Sequence, residues 1–211
     1  MPTPRAEGFR IGMNHGKLLS PEDTRECALR NHIYMLGMME LDTTKGKRPL
    51  RVFGYEVPSE RATRGLTMDL LAYDMQHNLY VVELKRAKNS ERLGKVIDQV
   101  SRYACQNMPV IQSDLEAEFR DRFFLGIRFG EVRPMVLAPE HYYREALRRG
   151  RVTARAPEVL GHMLKEHLDR VLFGCFLEKD LANCLGKGIP LSVHLIDSEE
   201  RLNNKLHEWA K

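Results

Sequence analysis

The stretch that decides the fold is Tyr80–Ala104, with the sequence YVVELKRAKNSERLGKVIDQVSRYA. Its first part has the aromatic and β-branched residues of a buried strand, and its second part has the apolar spacing of an amphipathic helix. Glu83 and Lys85 interrupt the strand two positions apart, so both side chains point to the same face. A buried strand of this composition is normally apolar on both faces, which marks Glu83 and Lys85 as candidate functional residues.

A second strand, LTMDLLAYD, precedes this one and is separated from it by MQHN, a sequence typical of a hairpin turn. It carries Asp69 among apolar residues. Because neighbouring residues on a strand point to opposite faces, Asp69 shares a face with Glu83 and Lys85 only if it pairs with one of them. We therefore predict an odd-length loop or a bulge near Met75–Asn78, since a simple four-residue loop would place Asp69 opposite Leu84.

These residues predict a metal-assisted reaction. The carboxylates of Asp69 and Glu83 repel each other unless a cation joins them. Carboxylate oxygens suit Mg²⁺ or Mn²⁺, and the backbone carbonyl of Leu84 is a further oxygen nearby. Lys85 is placed to stabilise charge that develops on a phosphate, or to orient the attacking water and help to remove its proton. Together these parts are typical of phosphodiester hydrolysis.

The stretch MDLLAYDMQHNLYVVELKRAKNSERLGKVIDQVSRYA resembles the core of the PD-(D/E)XK nuclease superfamily. Within that superfamily it is most similar to the C-terminal nuclease domain of NucS-type endonucleases. The acidic strand residue of the family falls on Asp69, its E-x-K falls on Glu83 and Lys85, and its Gln-x-x-x-Tyr motif falls on Gln99 and Tyr103. The resemblance implies that Gln99 orients Lys85 or the water, and we place Tyr103 among the expected DNA contacts.

The family also carries a glutamate on its first helix. The best match is Glu26, in the sequence ECALRNHI, and Glu22 is the alternative. Glu26 is equally well explained as the exposed end of an apolar helix stripe, and Gln99 as a solvated helix residue. Met68 stands where the name of the family places proline, a position that is known to be loose.

Basic residues outside this core are the candidates for contacts with the DNA backbone. Arg61 and Arg64 lie on the loop PSERATRG, where they either contact phosphate or are ordinary loop residues. Arg148 and Arg149 belong to a cluster of five arginines between positions 144 and 155. Such a cluster is usually a solvated face, although it also suits phosphate contacts. The net charge of +4 and the pI of ≈ 8.9 permit nucleic-acid binding without requiring it.

The whole pattern predicts an α/β fold with a restriction-endonuclease-like core, a mixed β-sheet flanked by helices, and extra C-terminal helices. We expect a loose leader over 1–17, a nuclease-like core over 18–150 and a mainly helical extension over 151–211 packed on the core. The first helix is expected from Ser20 to about Met39. Core strands are expected in LRVFGYEV, LTMDLLAYD, LYVVELKR and VRPMVLAP, and the extension is expected to contain helices at 157–173 and 177–188 and a last strand in IPLSVHLID.

Several other functions have no support in the sequence. No apolar run approaches the roughly 18 residues of a membrane helix, and the N-terminus lacks the apolar segment of a signal peptide. His162 and His167 are five positions apart and do not share a helix face as zinc ligands do, and GKG at 186–188 lacks the rest of a P-loop. The four cysteines form no CxxC pair and are expected to be mostly buried free thiols in a reducing cytoplasm.

The sequence therefore predicts a cytoplasmic, Mg²⁺- or Mn²⁺-dependent deoxyribonuclease. Its expected role in DNA repair, restriction or mobile-element processing follows from the resemblance alone. A homodimer is expected, because cutting both strands of a symmetric duplex takes two sites. Two alternatives stay open: a nucleic-acid-binding module that keeps this fold without chemistry, and a structural or protein-interaction domain of the same architecture.

Overall fold

The computed structural model describes residues 26–58, 67–87, 91–123, 126–150 and 156–210. The strands are β1 (Met38–Thr43), β2 (Gly46–Pro58), β3 (Thr67–Asp74), β4 (Leu79–Leu84), β5 (Val132–Pro139), β6 (Leu172–Phe176) and β7 (Leu191–Ile196). The helices are α1 (Glu26–Leu36), α2 (Leu93–Arg102), α3 (Met108–Phe123), α4 (Glu140–Gly150), α5 (Ala156–His167), α6 (Glu178–Lys187) and α7 (Glu199–Ala210), and a π-helical turn, Tyr103–Asn107, joins α2 to α3. None of these helices has the length and apolarity needed to cross a bilayer.

The described strands form one closed barrel in the order of the chain. Antiparallel pairing joins β1 to β2, β2 to β3, β3 to β4 and β6 to β7, whereas β4, β5 and β6 are parallel. β1 and β7 pair in parallel, from Met39↔Leu191 to Asp42↔His194. This last pairing closes the barrel.

The expected open, restriction-endonuclease-like sheet is therefore wrong, although the sheet is mixed and helices surround it. Two strands that the sequence did not predict, β1 and β6, account for the difference. β1 begins at Met38 because Gly37, at φ 66°, ends α1 with N–H bonds to the last turn. The helix expected at 157–173 ends at His167, and β6, which begins at Leu172, links β5 to β7. Without the pairings of β1 and β6 the sheet could not close into a barrel.

The strands are buried on two faces, which gives two apolar clusters. One cluster, which includes Leu70, Tyr80 and Val82, contains helix residues only from α1 and α6 among those described. The other lies beneath α2, α3, α4, α5 and α7. Because five helices cannot fit inside a seven-stranded barrel, the first face is the interior and the second is the outer wall. As free thiols, Cys175 and Cys184 are buried as expected, whereas Cys27 and Cys105 are exposed, against expectation.

The β3–β4 hairpin has the register that the candidate residues require. Pairing runs from Tyr73↔Leu79 to Leu70↔Val82. The N–H of Asp74 donates to the carbonyl of Asn78 at 3.2 Å, which leaves an odd-length loop between them. The predicted odd-length loop is confirmed, and the same register continued by one pair places Asp69 opposite Glu83. The left-handed residue of the turn is His77, at φ 61°.

Candidate active site

The candidate active site lies at the open end of the β3–β4 hairpin. The backbone ladder stops at Leu70↔Val82, and beyond it the Asp69 carboxylate takes the place of a backbone acceptor. Oδ2 of Asp69 accepts a hydrogen bond of 2.9 Å from the N–H of Leu84. The N–H and C=O of one strand residue point to the same side, so the Leu84 carbonyl also faces β3. Asp69 is thereby fixed at the end of β4.

Arg30 of α1, which the sequence did not indicate, binds the other oxygen of Asp69. Its Nη1 donates to Oδ1 at 3.0 Å, and both side chains are largely buried. Burial raises the pKa of the Asp69 carboxyl, and the hydrogen bond from Leu84 and the positive charges of Arg30 and Lys85 oppose this only in part. Arg30 follows Glu26 by four residues, so the two share one helix face, and this spacing is the signal that points to it.

The two carboxylate oxygens of Glu83 have different surroundings, although the residue is only 3% exposed. Oε1 accepts hydrogen bonds from Nζ of Lys85 at 2.8 Å and from Nε2 of Gln99 at 2.9 Å. Oε2 is buried and has no hydrogen-bond partner among the described residues. Burial, and then the negative charge of Asp69, raises the pKa of Glu83 to about 8. The protein thus leaves one buried oxygen of this carboxyl without compensation.

The Lys85 ammonium lies among three carboxylates. Its Nζ is 2.8 Å from Glu83, 3.2 Å from Glu91 and 3.8 Å from Glu26. Burial favours the neutral amine, but the charges of Glu83, Glu26 and Asp69 outweigh it and raise the pKa of Lys85. Lys85 is therefore charged at neutral pH. This charge suits it to stabilise a phosphate, and it argues against the expected help in removing a proton from water.

α2 brings Gln99 to the site from the outer wall of the barrel. The Gln99 amide donates to Oε1 of Glu83 and, at 3.0 Å, to the hydroxyl of Tyr103. Since Gln99 and Lys85 bind the same oxygen, their nitrogens lie within two hydrogen-bond lengths of each other, which places Gln99 at the site. Its direct partner is Glu83, so Gln99 orients this carboxylate, and its expected action on Lys85 or on a water stays a prediction.

Tyr103 begins the π-helical turn after α2 and is only 1% exposed. The expectation that Tyr103 contacts DNA is therefore wrong, because its ring is part of the outer-wall core. Its hydroxyl supports the site through Gln99. Burial raises the pKa of Tyr103, so the hydroxyl stays neutral at physiological pH. π-Helical turns are frequent at functional sites because they reposition a side chain on an otherwise regular helix.

Two glutamates complete the surroundings of Lys85. Glu26, in the first turn of α1, is the carboxylate that reaches Lys85, whereas its alternative, Glu22, lies outside the described residues. Glu91, just before α2, was not indicated by the sequence. It binds Lys85 and also Nζ of Lys95, one helical turn later, at 3.0 Å. Burial tends to raise the pKa of Glu91, but these two lysines outweigh it and lower the pKa.

The expected DNA-binding arginines are not brought to the site by any described contact. Arg61 and Arg64 lie outside the described residues, as does the side chain of Arg149. Arg148, on α4, is exposed and donates to Glu145 of the same helix at 2.9 Å. Contacts between these arginines and DNA stay predictions.

The donor set fits a hard divalent cation. Asp69, Glu83 and the Leu84 carbonyl supply oxygens at one strand end. Both oxygens of Asp69 are engaged by Arg30 and the Leu84 N–H, whereas Oε2 of Glu83 has no partner in the described part of the chain. Within the described ranges, no group of three or more His, Cys, Asp and Glu side chains is assembled to hold a metal. Mg²⁺ is commonly bound by one or two carboxylates and completes its coordination with water and substrate phosphate oxygens. Binding of Mg²⁺ or Mn²⁺ at these oxygens therefore stays a prediction.

Comparison of the chain with protein-family models, with curated proteins and with solved structures finds no match. The relation to the PD-(D/E)XK superfamily therefore stays a proposal that depends on the motif residues. The function is accordingly argued from the geometry of Asp69, Glu83, Lys85 and Gln99.

Proposed function

We propose that this protein hydrolyses phosphodiester bonds of DNA with the help of Mg²⁺ or Mn²⁺. The observation that carries the proposal is the Glu83 carboxylate: one oxygen is held by Lys85 and Gln99, while the other is buried and has no partner among the described residues. An ion pair that served stability alone would have its second oxygen satisfied, because a buried, unpartnered carboxylate oxygen costs free energy. A cation and a phosphate would supply the missing interactions.

The residues of the site have separate tasks in this proposal. Asp69, Glu83 and the Leu84 carbonyl would hold the metal, which when bound polarises the phosphate and lowers the pKa of an attacking water. Lys85 donates N–H groups to the phosphoryl oxygens and balances the negative charge that builds up in the transition state. Gln99 keeps the Glu83 carboxylate in one orientation, and Tyr103 keeps Gln99 in place.

Three further residues support the charges of this centre. Arg30 compensates Asp69, while Glu26 and Glu91 hold the Lys85 ammonium near the strand end. Their ion pairs fix the Lys85 position before substrate arrives, which reduces the ordering cost on binding. A homodimer belongs to the same proposal, since two such centres are needed to cut both strands of a symmetric duplex in one complex.

A nucleic-acid-binding module without chemistry is the second candidate. One observation favours it: Arg30 already neutralises one of the two carboxylates, at 3.0 Å, which weakens the attraction for a cation. In that case the protein would bind DNA with no dependence on a divalent metal.

The proposal is tested with purified protein and a panel of single-stranded, duplex, flap and mismatched DNA, with Mg²⁺ or Mn²⁺ and with EDTA. We expect cleavage of at least one substrate, and EDTA should abolish it. Asp69→Asn and Glu83→Gln should each lower the rate on the order of 10²-fold or more, because each removes a metal ligand. Asp98→Asn changes an exposed carboxylate on α2 and should cut like the wild type.

Cleavage by Glu83→Gln at the wild-type rate would overturn the proposal. Binding of DNA by the wild type with no cleavage in Mg²⁺ or Mn²⁺ would select the second candidate.

A further inference from the structure

The barrel has a second polar region at its other mouth, away from the candidate active site. This mouth is formed by the β1–β2 turn, the β3–β4 turn and the start of β5. It opens into a cavity of ≈ 460 Å³, and among the described residues its lining includes four cationic side chains and no carboxylate. The cations are Lys45, Lys47, Arg48 and Arg133. Barrel mouths are common ligand sites, and this volume falls in the usual range for small-molecule pockets.

Two of these cations point into the barrel. Arg48 and Arg133 lie two positions before the interior residues Leu50 and Met135 on their strands. Residues two positions apart point to the same face, so both arginines extend the interior face to the mouth. Arg48 donates to the hydroxyl of Tyr80 at 3.3 Å. Both arginine side chains are about one-third exposed, at 33% and 31%, so a ligand in the cavity can reach them. Arginine presents a planar fork of donors that matches phosphate oxygens.

The carboxylates near the mouth cancel only part of this charge. Glu40 binds Lys47 at 2.6 Å, so Lys47 adds little to the site. Asp74 is saturated by the N–H groups of Gln76 and Asn78, by the Asn78 amide and by Tyr80, and its ion pair with Arg48 is long, at 3.8 Å. Glu131 binds Arg133 at 2.7 Å from an exposed position outside the cavity lining. Arg48 thus has free donor capacity, and Glu131 is a competitor that an incoming anion can displace.

The mouth is also rigid before any ligand binds. Asp74 fixes the β3–β4 turn, and the turn is tied to the segment before β5 by the bond from the N–H of Gly130 to the carbonyl of His77, at 2.9 Å. The N–H of Leu79 donates to the carbonyl of Glu131 at 2.8 Å. Preorganised donors bind with a smaller entropy cost than donors that must be ordered by the ligand.

We infer that this mouth binds a phosphate monoester, carried by a free nucleotide or by the end of a nucleic-acid strand. Arg48 and Arg133 would bind the phosphate, Lys45 would add charge at the rim, and Met75, which is 71% exposed, would contact the attached sugar or base. The site is independent of the proposed hydrolysis. Asp74 and Asp69 are five residues apart on β3, which separates the two sites by about 17 Å along the strand.

Binding is measured by isothermal titration calorimetry in EDTA, so that the carboxylate site plays no part. The probes are dAMP, deoxyadenosine, and one short oligonucleotide with a 5′-phosphate or a 5′-hydroxyl. We expect dAMP to bind at least about tenfold more tightly than deoxyadenosine, because the phosphate supplies the charge-assisted bonds. Tighter binding of dAMP than of the 5′-phosphorylated oligonucleotide identifies a nucleotide site, and the reverse order identifies a strand-end site.

Variants distinguish binding at this mouth from nonspecific attraction of an anion to a positively charged protein. Arg133→Gln should weaken dAMP binding about tenfold or more, and Arg133→Lys, which keeps the charge but loses the fork, should weaken it by a factor of several. Glu131→Gln should tighten it, because the competing carboxylate is gone. Arg170→Gln alters an exposed arginine outside the mouth and should change nothing.

Lys45→Ala provides a second test that leaves the barrel interior intact, and it should weaken binding by a factor of several. Equal affinity for dAMP and deoxyadenosine, or unchanged affinity in both Arg133→Gln and Lys45→Ala, would overturn the inference. Either result would leave the metal-dependent cleavage assay unaffected, so the two proposals fail separately.

Discussion

Two buried aspartates stand at opposite ends of β3, and the protein treats them differently. Asp74 is 2% exposed and Asp69 is 6% exposed, so both are removed from water to a similar degree. At the turn end, Asp74 accepts hydrogen bonds from backbone N–H groups, from the Asn78 amide and from Tyr80. Burial tends to raise the pKa of Asp74, but these bonds outweigh it and lower the pKa.

At the open end, burial outweighs the hydrogen bonds and ion pairs of the carboxyl groups, so their pKa values are raised. Burial raises the pKa of Asp69 despite Arg30, and it raises the pKa of the neighbouring Glu83 to about 8. Oε2 of Glu83 remains without a partner among the described residues. Two similarly buried aspartates are therefore treated differently. The protein itself satisfies the carboxylate at the turn end, whereas the ionised carboxylates at the open end lack full compensation, as is common at functional sites.

Removal of Asp74 should have the largest effect on stability. Asp74→Ala leaves the donors of Gln76, Asn78 and Tyr80 unsatisfied, which should cost about 3–5 kcal/mol in urea unfolding at neutral pH. The folded-state pKa of Asp74 is below its ordinary value, so this stabilisation is present above about pH 4 and is lost as the pH falls through the folded-state value. A cost under about 1 kcal/mol would show that the turn does not depend on this carboxylate.

When metal is removed with EDTA, Glu83→Gln should change the stability less than Asp74→Ala does, and it should stabilise the protein rather than destabilise it. The folded-state pKa is about 8 and the ordinary value is 4.5, so between these values the folded protein binds more protons than the unfolded chain. The contribution of Glu83 to stability therefore falls as pH rises through this window. Relative to wild type, the variant should gain on the order of a few kcal/mol over that rise, because one pKa unit corresponds to about 1.4 kcal/mol.

Urea unfolding of both proteins at a series of pH values checks this expectation. A variant that loses stability relative to wild type as pH rises would place Glu83 in the same class as Asp74.

Tyr103→Phe should have the smallest effect. The ring keeps its packing in the core, and only the hydroxyl that accepts from Gln99 is lost. We expect a stability loss of about 0.5–1.5 kcal/mol and a fall in cleavage rate of less than about tenfold. Tyr73→Phe, in the same apolar cluster, is the matched control for ring substitution and should leave cleavage unchanged. Complete loss of cleavage in Tyr103→Phe would mean that the hydroxyl takes a direct part in the reaction.

The centre of the site could be predicted because its residues are linked by local geometry. Asp69, Glu83 and Lys85 lie on one hairpin, so strand alternation alone decides whether they meet. Gln99 follows on the next helix. Arg30 and Glu91 could not be identified in the same way, because each is an ordinary charged residue near a helix start and its contact depends on packing between distant elements.

Closure of the barrel could not be predicted because it depends on pairing between distant segments. Met39 pairs with Leu191, and no local pattern specifies such a contact. The β6 sequence LFGCF is a short apolar run that periodicity cannot distinguish from the end of a buried helix. Gly174 in its centre leaves room for the side chains of Met135 and Val193, a reason that appears only once the neighbouring strands are known.

The most direct test of the central claim is the cleavage rate of Lys85→Met at saturating Mn²⁺. Saturation is established from the metal-dependent rise in Tm, since a ligand that binds only the folded protein raises its stability. We expect the variant to keep the Mn²⁺-dependent rise in Tm, because Asp69 and Glu83 remain, and to lose cleavage on the order of 10²-fold or more, because the phosphate loses its cation. Cleavage by Lys85→Met at the wild-type rate would contradict the assignment of this hairpin end as a phosphodiesterase site.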